Sequence, residues 1–175
     1  MLFRSNRFNS GVPDLQQRYS SGYSEGWAIY AETLADEIGA FDGDDAARIG
    51  YLQWMMFRAA RVVGDTGMHM MRWSRERTIE QMYELQGESI SFVTIEDDVT
   101  RFAAQPGASA AQGLAAMHLF ELRERTRRAA GARFTLTAFH DAALRAGPLS
   151  PPGLEQAMVS GGLDPHANDW RERAW

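Results

Sequence analysis

Apolar side chains recur every three or four residues along most of this chain, and glycine and proline interrupt the pattern at intervals. The spacing is clearest between Leu15 and Ile38, a stretch that contains no proline. Its apolar positions are Tyr23, Trp27, Tyr30, Ala31, Leu34 and Ile38. Residues three and four apart lie on one face of an α-helix, so this stretch is predicted to form an amphipathic helix that ends near Gly39.

Start and stop signals divide the rest of the chain into further helices. Ser, Thr and Asp favour helix starts, and Gly and Pro favour helix ends. The predicted helices cover residues 46–63, 75–85, 95–104, 108–130, 138–145 and 151–160, and a short helical piece is predicted over 68–73. The segment 64–67 is predicted as a break and 89–93 as a loop, and the helix over 46–63 is predicted to be buried on most sides. We therefore predict an all-α domain of about seven helices over residues 1–160, followed by a polar tail over 161–175.

Composition excludes several classes of function. The chain has no cysteine, which excludes disulfides, thiolate zinc sites and cysteine nucleophiles. Its net charge is -5, and the arginines between Arg123 and Arg133 alternate with glutamates, which is typical of a solvated helix face and not of a nucleic-acid site. No apolar run reaches the roughly 18 residues of a membrane span, and the N-terminus lacks the apolar core of a signal peptide. We expect a soluble protein, and the sequence does not indicate its cellular compartment.

The segment YSEGWAIYAE, residues 23–32, holds the first candidate site. Glu25 and Glu32 are seven residues apart, so both lie on nearly the same helix face, beside tyrosine and tryptophan. A carboxylate is costly to bury in such surroundings unless it is paired or bound to a metal ion. Periodicity alone favours two exposed glutamates that flank a core stripe, with a metal site as the alternative.

The segment RAARVVGDTGMHMMRWS, residues 58–74, holds the second candidate site. Arg58, Arg61 and Asp65 follow helical spacing, and His69 lies four residues after Asp65. An Asp–His pair can orient an imidazole for proton transfer or metal binding. Taken alone, the segment favours an Arg–Asp ion pair and a structural histidine.

The other histidines and the known catalytic motifs give no further candidate site. His140, in the Phe139–Asp141 segment, is predicted to be structural, and we assign no role to the remaining two histidines. The sequence contains no HExxH, so two histidine zinc ligands on one helical turn are absent from it. It also contains no GxSxG, P-loop or GxGxxG motif, so serine-hydrolase and nucleotide-binding functions have no motif support.

Taken in order, these motifs resemble a bacterial family labelled domain of unknown function 885. The resemblance covers roughly residues 15–158. The segments that carry it are EGWAIYAE (25–32), RAARVVGDTGMHMMRWS (58–74), RFAAQPGASAAQ (101–112), ELRER (121–125) and FHDAALRAGPL (139–149).

The resemblance implies the C-terminal part of a larger helical zinc-peptidase fold. In that family an HExxH-like helix lies shortly upstream of the EGWA helix, and we expect it to lie outside these 175 residues. Glu25 would then join the two histidines as a zinc ligand, and Glu32 would support it. The spacing of the two glutamates is also similar to the ligand helix of thermostable metallocarboxypeptidases. His69 and Asp65 become candidates to line the site, and Arg61 becomes a candidate for a buried ion pair with Asp65.

The chain departs from the family pattern at three positions. Phe102 and Gln112 stand where the family has tyrosines, and Ala108 stands where it has glutamine. Gln112 takes the place of a tyrosine that could stabilise an oxyanion, and its amide remains a weaker hydrogen-bond donor. A single carboxylate is a poor zinc site, so we predict that this chain alone neither holds zinc tightly nor hydrolyses peptides.

Three interpretations follow from the sequence. The first is part of a zinc-dependent peptidase or hydrolase acting on a peptide substrate. It predicts an apolar face that is covered by an N-terminal half or by self-association. The second is a non-catalytic helical binding or interaction domain on the same scaffold. The third is a structural helical module in which the motifs serve packing alone.

Overall fold

A computed structural model describes residues 21–87 and 94–165, and within them it contains seven α-helices and no strand. The helices are α1 (Ser21–Glu37), α2 (Asp45–Met70), α3 (Arg75–Gln86), α4 (Ile95–Ala104), α5 (Ala108–Ala130), α6 (Leu136–Ala146) and α7 (Pro151–Ser160). A 3₁₀ turn, Gly131–Arg133, follows α5. The all-α prediction is confirmed. The predicted loop at 89–93, the start of the first helix before residue 21 and the tail beyond 165 lie outside the described residues.

Local signals account for most of the helix ends. Ser74 accepts a hydrogen bond from the Arg77 amide at the start of α3, and Asp44 accepts one from the Ala47 amide at the start of α2. Such caps satisfy amides that lack a partner within the helix. The predicted start of α6 at residue 138 is wrong by two residues, because Thr135 accepts from the Ala138 amide and caps the helix. This earlier cap adds Leu136 to the first turn of the helix.

The predicted break at residues 64–67 is also wrong, because α2 continues through it to Met70. A Cβ on Gly64 would lie 3.0 Å from Met82 Sδ, and a Cβ on Gly67 would collide with the Trp73 ring. The two glycines therefore permit close packing against α3 and the residues before it. The helix ends at Met70, and two residues later Arg72 adopts a φ of 57°, which lets the Trp73 amide donate back to the Gly67 carbonyl.

Two apolar clusters form the core. The first joins α1, α5, α6 and α7, and the second joins α2, α3 and α4. The first contains Tyr30, Leu119, Leu122, Phe139, Ala143, Leu154 and Met158. The second contains Phe57, Met82, Ile95, Val99 and Phe102. Helix α2 contributes only one side to its cluster. The prediction that it is buried on most sides is therefore wrong.

Helix α5 sets the relative positions of α1 and α2. Gly26 of α1 packs so closely on α5 that an added Cβ would lie 2.5 Å from Ala115 Cβ, while Gly22, one turn earlier, packs on Ala111. The contacting pairs are 22 with 111 and 26 with 115, so the residue numbers increase in the same direction on both helices, and α1 runs parallel to α5. Helix α2 runs antiparallel to α5, because Val62 packs on Gly113 while a residue further along α2 reaches the start of α5. None of the described helices has the length and apolar character needed to cross a membrane.

Candidate functional site

Asp65 joins α2 to the beginning of α5. Its side chain is fully buried and accepts hydrogen bonds from the Gly107 amide (2.9 Å) and the Ala110 amide (3.0 Å). These amides belong to the first turn of α5, where backbone N–H groups lack helical partners and the helix dipole favours a negative charge. Asp65 therefore acts as an N-terminal cap supplied by another helix. All of its partners are donors, as an ionised carboxylate requires.

His69 is oriented by Asp65. Its Nδ1 lies 2.9 Å from both the carboxylate Oδ1 and the backbone carbonyl oxygen of Asp65. Both oxygens are acceptors, so Nδ1 must carry the hydrogen. The neutral ring then has its lone pair on Nε2, and 28% of the side chain is exposed. The predicted Asp–His pair is therefore present in the geometry that prepares an imidazole to take or give a proton.

The predicted ion pair between Arg61 and Asp65 is wrong. Arg61 instead pairs with Asp98 of α4, at 2.9 Å between Nε and Oδ2. Asp98 is 2% exposed and is also paired with Arg101. The two carboxylates have separate tasks: Asp65 is satisfied by amides and His69, whereas Asp98 neutralises Arg61. Arg61 therefore ties α2 to α4 and does not belong to the Asp65 cluster.

Glu25 and Glu32 differ in their surroundings. Arg58 of α2 donates to both carboxylate oxygens of Glu32, with Nη2 at 2.7 Å from Oε1, so this glutamate holds α1 to α2. Glu25 is exposed, two turns earlier on the same face. A bidentate guanidinium occupies the oxygens that a metal ion would need. Of the two glutamates, Glu25 is therefore the one whose carboxylate is open to a ligand.

The Arg58–Glu32 pair also shows which faces of α1 and α2 meet. His69 lies on the same face of α2 as Arg58, because residues 58, 62, 65 and 69 follow helical spacing. The faces that carry Glu25 and His69 are therefore the two faces that the Arg58–Glu32 pair joins, and we call the space between these faces the α1–α2 groove. Gly26 and Val62 pack at neighbouring levels of α5, and His69 lies seven residues beyond Val62. Glu25 and His69 are thus separated by roughly 10 Å along the helix axis.

The three departures from the family pattern fall in two places. Gln112 is half-buried on α5, between Ala111, which packs on α1, and Gly113, which packs on α2. Ala108 is in the first turn of α5, between the two amides that bind Asp65. Phe102, by contrast, is 1% exposed within the second core cluster. The tyrosine hydroxyl missing at Phe102 is therefore missing from the core and not from the α1–α2 groove.

The described residues do not fit a complete zinc site. Within residues 21–87 and 94–165, no group of three His, Asp or Glu side chains is placed to hold a metal ion. The Nδ1 of His69 is committed to Asp65, and Glu32 is committed to Arg58. Glu25 remains as one carboxylate donor, whereas zinc in proteins takes three or four ligands.

The sequence interpretation missed a polar cluster on the other side of α1. The Tyr30 hydroxyl lies 2.8 Å from His140 Nε2, and Arg123 donates to the same hydroxyl at 3.4 Å. Arg123 also donates to Glu37 at 2.9 Å. The three helices α1, α5 and α6 meet at this cluster. The partners of Tyr30 are about a hundred residues away in the chain, so no local spacing could have indicated them.

Burial controls the ionisation of this cluster. It lowers the pKa of His140 below the ordinary value, and the positive charge of Arg123 adds to that effect. Burial likewise raises the pKa of Tyr23 to about 12, and its hydroxyl donates to the Ala143 carbonyl at 3.1 Å. His140 is thus held neutral within a packed interface. The structural role predicted for it agrees with this position.

An open pocket of about 320 Å³ lies beside the Arg58–Glu32 pair. Its lining residues are Glu32, Ala35, Phe41, Ala47, Tyr51, Trp54 and Arg58. The Phe41 and Tyr51 rings stack at 5.3 Å, and the Arg58 guanidinium lies 5.7 Å from the centre of the Trp54 ring. The pocket is therefore an aromatic surface around a satisfied ion pair, and neither Glu25 nor His69 is among its lining residues.

Comparison with known proteins gives a family for the chain and a similarity to a solved structure. The family model described as "Bacterial protein of unknown function (DUF885)" matches residues 6–158. No curated protein matches the chain. A crystal structure described as that of a "putative lipoprotein" from Colwellia psychrerythraea is similar, with a TM-score of 0.71 and 36% sequence identity. The similarity covers 81% of this chain but only 24% of the Colwellia chain, so this chain spans about a quarter of that protein's length.

Proposed function

Because the chain belongs to the DUF885 family of bacterial proteins, we propose that it forms the C-terminal helical part of a zinc-dependent peptidase or related hydrolase. One observation supports the proposal most: the Asp65–His69 pair. A fully buried carboxylate fixes the tautomer of a partly exposed imidazole on the same helix, and that carboxylate is anchored by two amides at the start of α5. A structural histidine does not need such support, whereas a proton-transfer group does.

In this proposal Glu25 holds the metal ion together with ligands from outside the described residues. When bound, zinc lowers the pKa of a coordinated water and polarises a carbonyl group. The exposed carboxylate of Glu25 is free to serve, whereas Arg58 retains Glu32 as a brace between α1 and α2. Glu32 therefore supports the ligand helix without touching the ion.

His69 acts on the substrate and not on the ion in this proposal. The axial separation of roughly 10 Å from Glu25 leaves space for a metal-bound substrate carbonyl between the two side chains. The Nε2 lone pair of the neutral ring can accept a proton, and the protonated ring can donate a hydrogen bond to a developing oxyanion. Asp65 holds the ring in this orientation through its hydrogen bond with Nδ1. Gln112, half-buried on α5 between residues that contact α1 and α2, adds an amide donor.

The test uses a chimera in which this chain replaces the matching quarter of the Colwellia protein. The purified chimera is incubated with a mixture of peptides, and cleavage is followed by mass spectrometry with and without a zinc chelator. We expect chelator-sensitive hydrolysis that falls by about 100-fold or more in His69→Ala, the usual size of a proton-transfer contribution. Asp141→Asn, an exposed carboxylate on α6, is the control and should retain full activity. Equal activity in the His69→Ala variant would refute the assigned role of His69.

A non-catalytic helical binding domain is the second candidate function. It is favoured by Ala108, which removes a polar side chain of the family pattern at the start of α5, and by Gln112, which replaces a tyrosine hydroxyl with a weaker amide donor. In that case the groove binds a peptide without cleaving it. The same peptide mixture separates the two functions: retention of intact peptide by the chimera, with no chelator-sensitive cleavage, supports the binding domain.

A further inference from the structure

Helix α2 carries a second apolar stripe that the core does not use. Its positions alternate at spacings of three and four residues over the length of the helix, and all of them are exposed. They are Ile49, Leu52, Met56, Ala59, Val63, Thr66 and Met70. We call this set the α2 seam. Among its large apolar side chains the exposed fraction ranges from 41% at Val63 to 79% at Met70. No charged residue interrupts the set.

The α2 seam lies away from the core face of the same helix. The core face contains Phe57, Ala60, Gly64 and Gly67, which contact α3, α4 and Trp73. At 100° per residue the centres of the two stripes are more than a quarter-turn apart. The seam is therefore not the exposed margin of the core face. It is a separate apolar surface, running for roughly 30 Å along the helix.

The spacing of the seam indicates what it fits. A repeat of three and four residues places side chains on a line that matches a second helix crossing at a shallow angle. Medium-sized side chains such as Leu52, Met56 and Val63 can act as knobs between the side chains of that second helix. A flat ligand or a polar peptide would leave most of these groups in water. The expected occupant is thus an α-helix with an apolar stripe of its own.

The comparison with the Colwellia protein points to the source of that helix. The region similar to this chain makes up 24% of the Colwellia chain, at 36% identity, so most of that protein lies outside the shared region. We propose that the α2 seam is the surface on which this chain packs against a helix of that remaining part of the family fold. This inference concerns assembly and holds whether or not the groove is catalytic.

The absence of cysteine makes the seam directly testable. Leu52→Cys and Met56→Cys are made separately in the isolated chain and in the chimera with the Colwellia protein. Both positions are exposed, so neither substitution should disturb the fold. The rate of modification by a thiol reagent is measured under native conditions and divided by the rate in denaturant. The chimera without an added cysteine supplies the background.

We expect both cysteines to react rapidly in the isolated chain and about 100-fold more slowly in the chimera, since a packed interface must open locally before the reagent can reach the thiol. Leu52→Ile with Met56→Leu, which keeps the seam apolar, should leave the thermal midpoint of the chimera within a degree or two. Leu52→Glu with Met56→Glu should lower the midpoint by several degrees in the chimera but not in the isolated chain.

Three results would overturn the proposal. Equal cysteine reactivity in the isolated chain and the chimera would mean that the seam faces solvent in the assembled fold. Protection of the isolated chain that increases with its concentration would identify a second copy as the occupant. Equal destabilisation of the chimera and the isolated chain by the two glutamates would place the cost within this chain.

Discussion

Replacing Asp65 with alanine tests the cap that joins α2 to α5. The substitution removes hydrogen bonds from the Gly107 amide, the Ala110 amide and His69 Nδ1. Each hydrogen bond to a charged group contributes about 1.5–3 kcal/mol. Gly107 is exposed, so its amide regains water, and the variant no longer buries a charge. We therefore expect the free energy of unfolding to fall by about 3 kcal/mol, which lowers the thermal midpoint by about 9 °C in a domain of this size.

Two further variants divide this loss between the partners of Asp65. Asp65→Asn keeps one acceptor oxygen but turns an NH₂ group toward an amide donor, so we expect a loss of about 2 kcal/mol. His69→Ala removes only the third bond, from a partly exposed ring, and should cost about 1 kcal/mol. Urea denaturation followed by far-UV circular dichroism measures all three variants. Asp65→Ala within about 1 kcal/mol of wild type, or Asp65→Asn as costly as alanine, would contradict the cap.

Three other predictions concern packing, the end of α2 and pH. Gly26→Ala should destabilise the fold by about 2 kcal/mol, because the added Cβ would lie 2.5 Å from Ala115 Cβ. Gly50 of α2 faces open space, so Gly50→Ala should stabilise the fold by about 0.5–1 kcal/mol. A reversed order of the two stabilities in urea denaturation would contradict this packing. Arg72→Gly should raise stability by about 0.5–1 kcal/mol, since φ is 57° there, and an unchanged urea midpoint would argue against the left-handed turn. Burial lowers the pKa of His140 below its ordinary 6.5, so the stability that neutral His140 contributes is present above that pH and is lost as pH falls through the folded-state pKa. Between pH 7 and 5 the wild type should therefore lose stability more steeply than His140→Gln. Parallel slopes for the two proteins would exclude the protonation of His140 as the source of the pH dependence.

The sequence predicted helix positions well where a local signal marks the end. Ser74, Gly107 and Gly131 are local signals, and the helices that they bound begin or end within a residue or so of the predicted limits. Gly64 and Gly67 misled the prediction, because a glycine can end a helix or can let a neighbour approach it. Only the packing against Met82 and Trp73 distinguishes the two cases. That packing depends on segments that the local sequence does not contain.

The prediction that α2 is buried on most sides was wrong for a related reason. Its apolar residues occupy two faces, and the sequence does not say which face meets the rest of this chain. The core face and the α2 seam have equally apolar residues. A single sequence therefore predicts a helix buried all around, while the structure buries one face and leaves the other exposed.

Only those contacts of the candidate site that join residues at helical spacing could be predicted from the sequence. The four-residue step from Asp65 to His69 predicted their contact correctly. The amides of Gly107 and Ala110 lie more than forty residues further along the chain, so their contact with Asp65 could not be read from spacing. The same limit explains the Arg61 error, because its partner Asp98 lies on a separate helix. Long-range ion pairs depend on tertiary contacts that no local pattern encodes.

Zinc equilibrium dialysis tests the central claim most directly. The claim is that this chain supplies one zinc ligand, Glu25, to a site completed by residues outside it. The isolated chain and the chimera with the Colwellia protein are dialysed in parallel, each with and without Glu25→Gln. We expect stoichiometric zinc in the chimera, lost on Glu25→Gln, and no stoichiometric zinc in the isolated chain. Tight binding of one zinc by the isolated chain, or zinc in the chimera that survives Glu25→Gln, would contradict the claim.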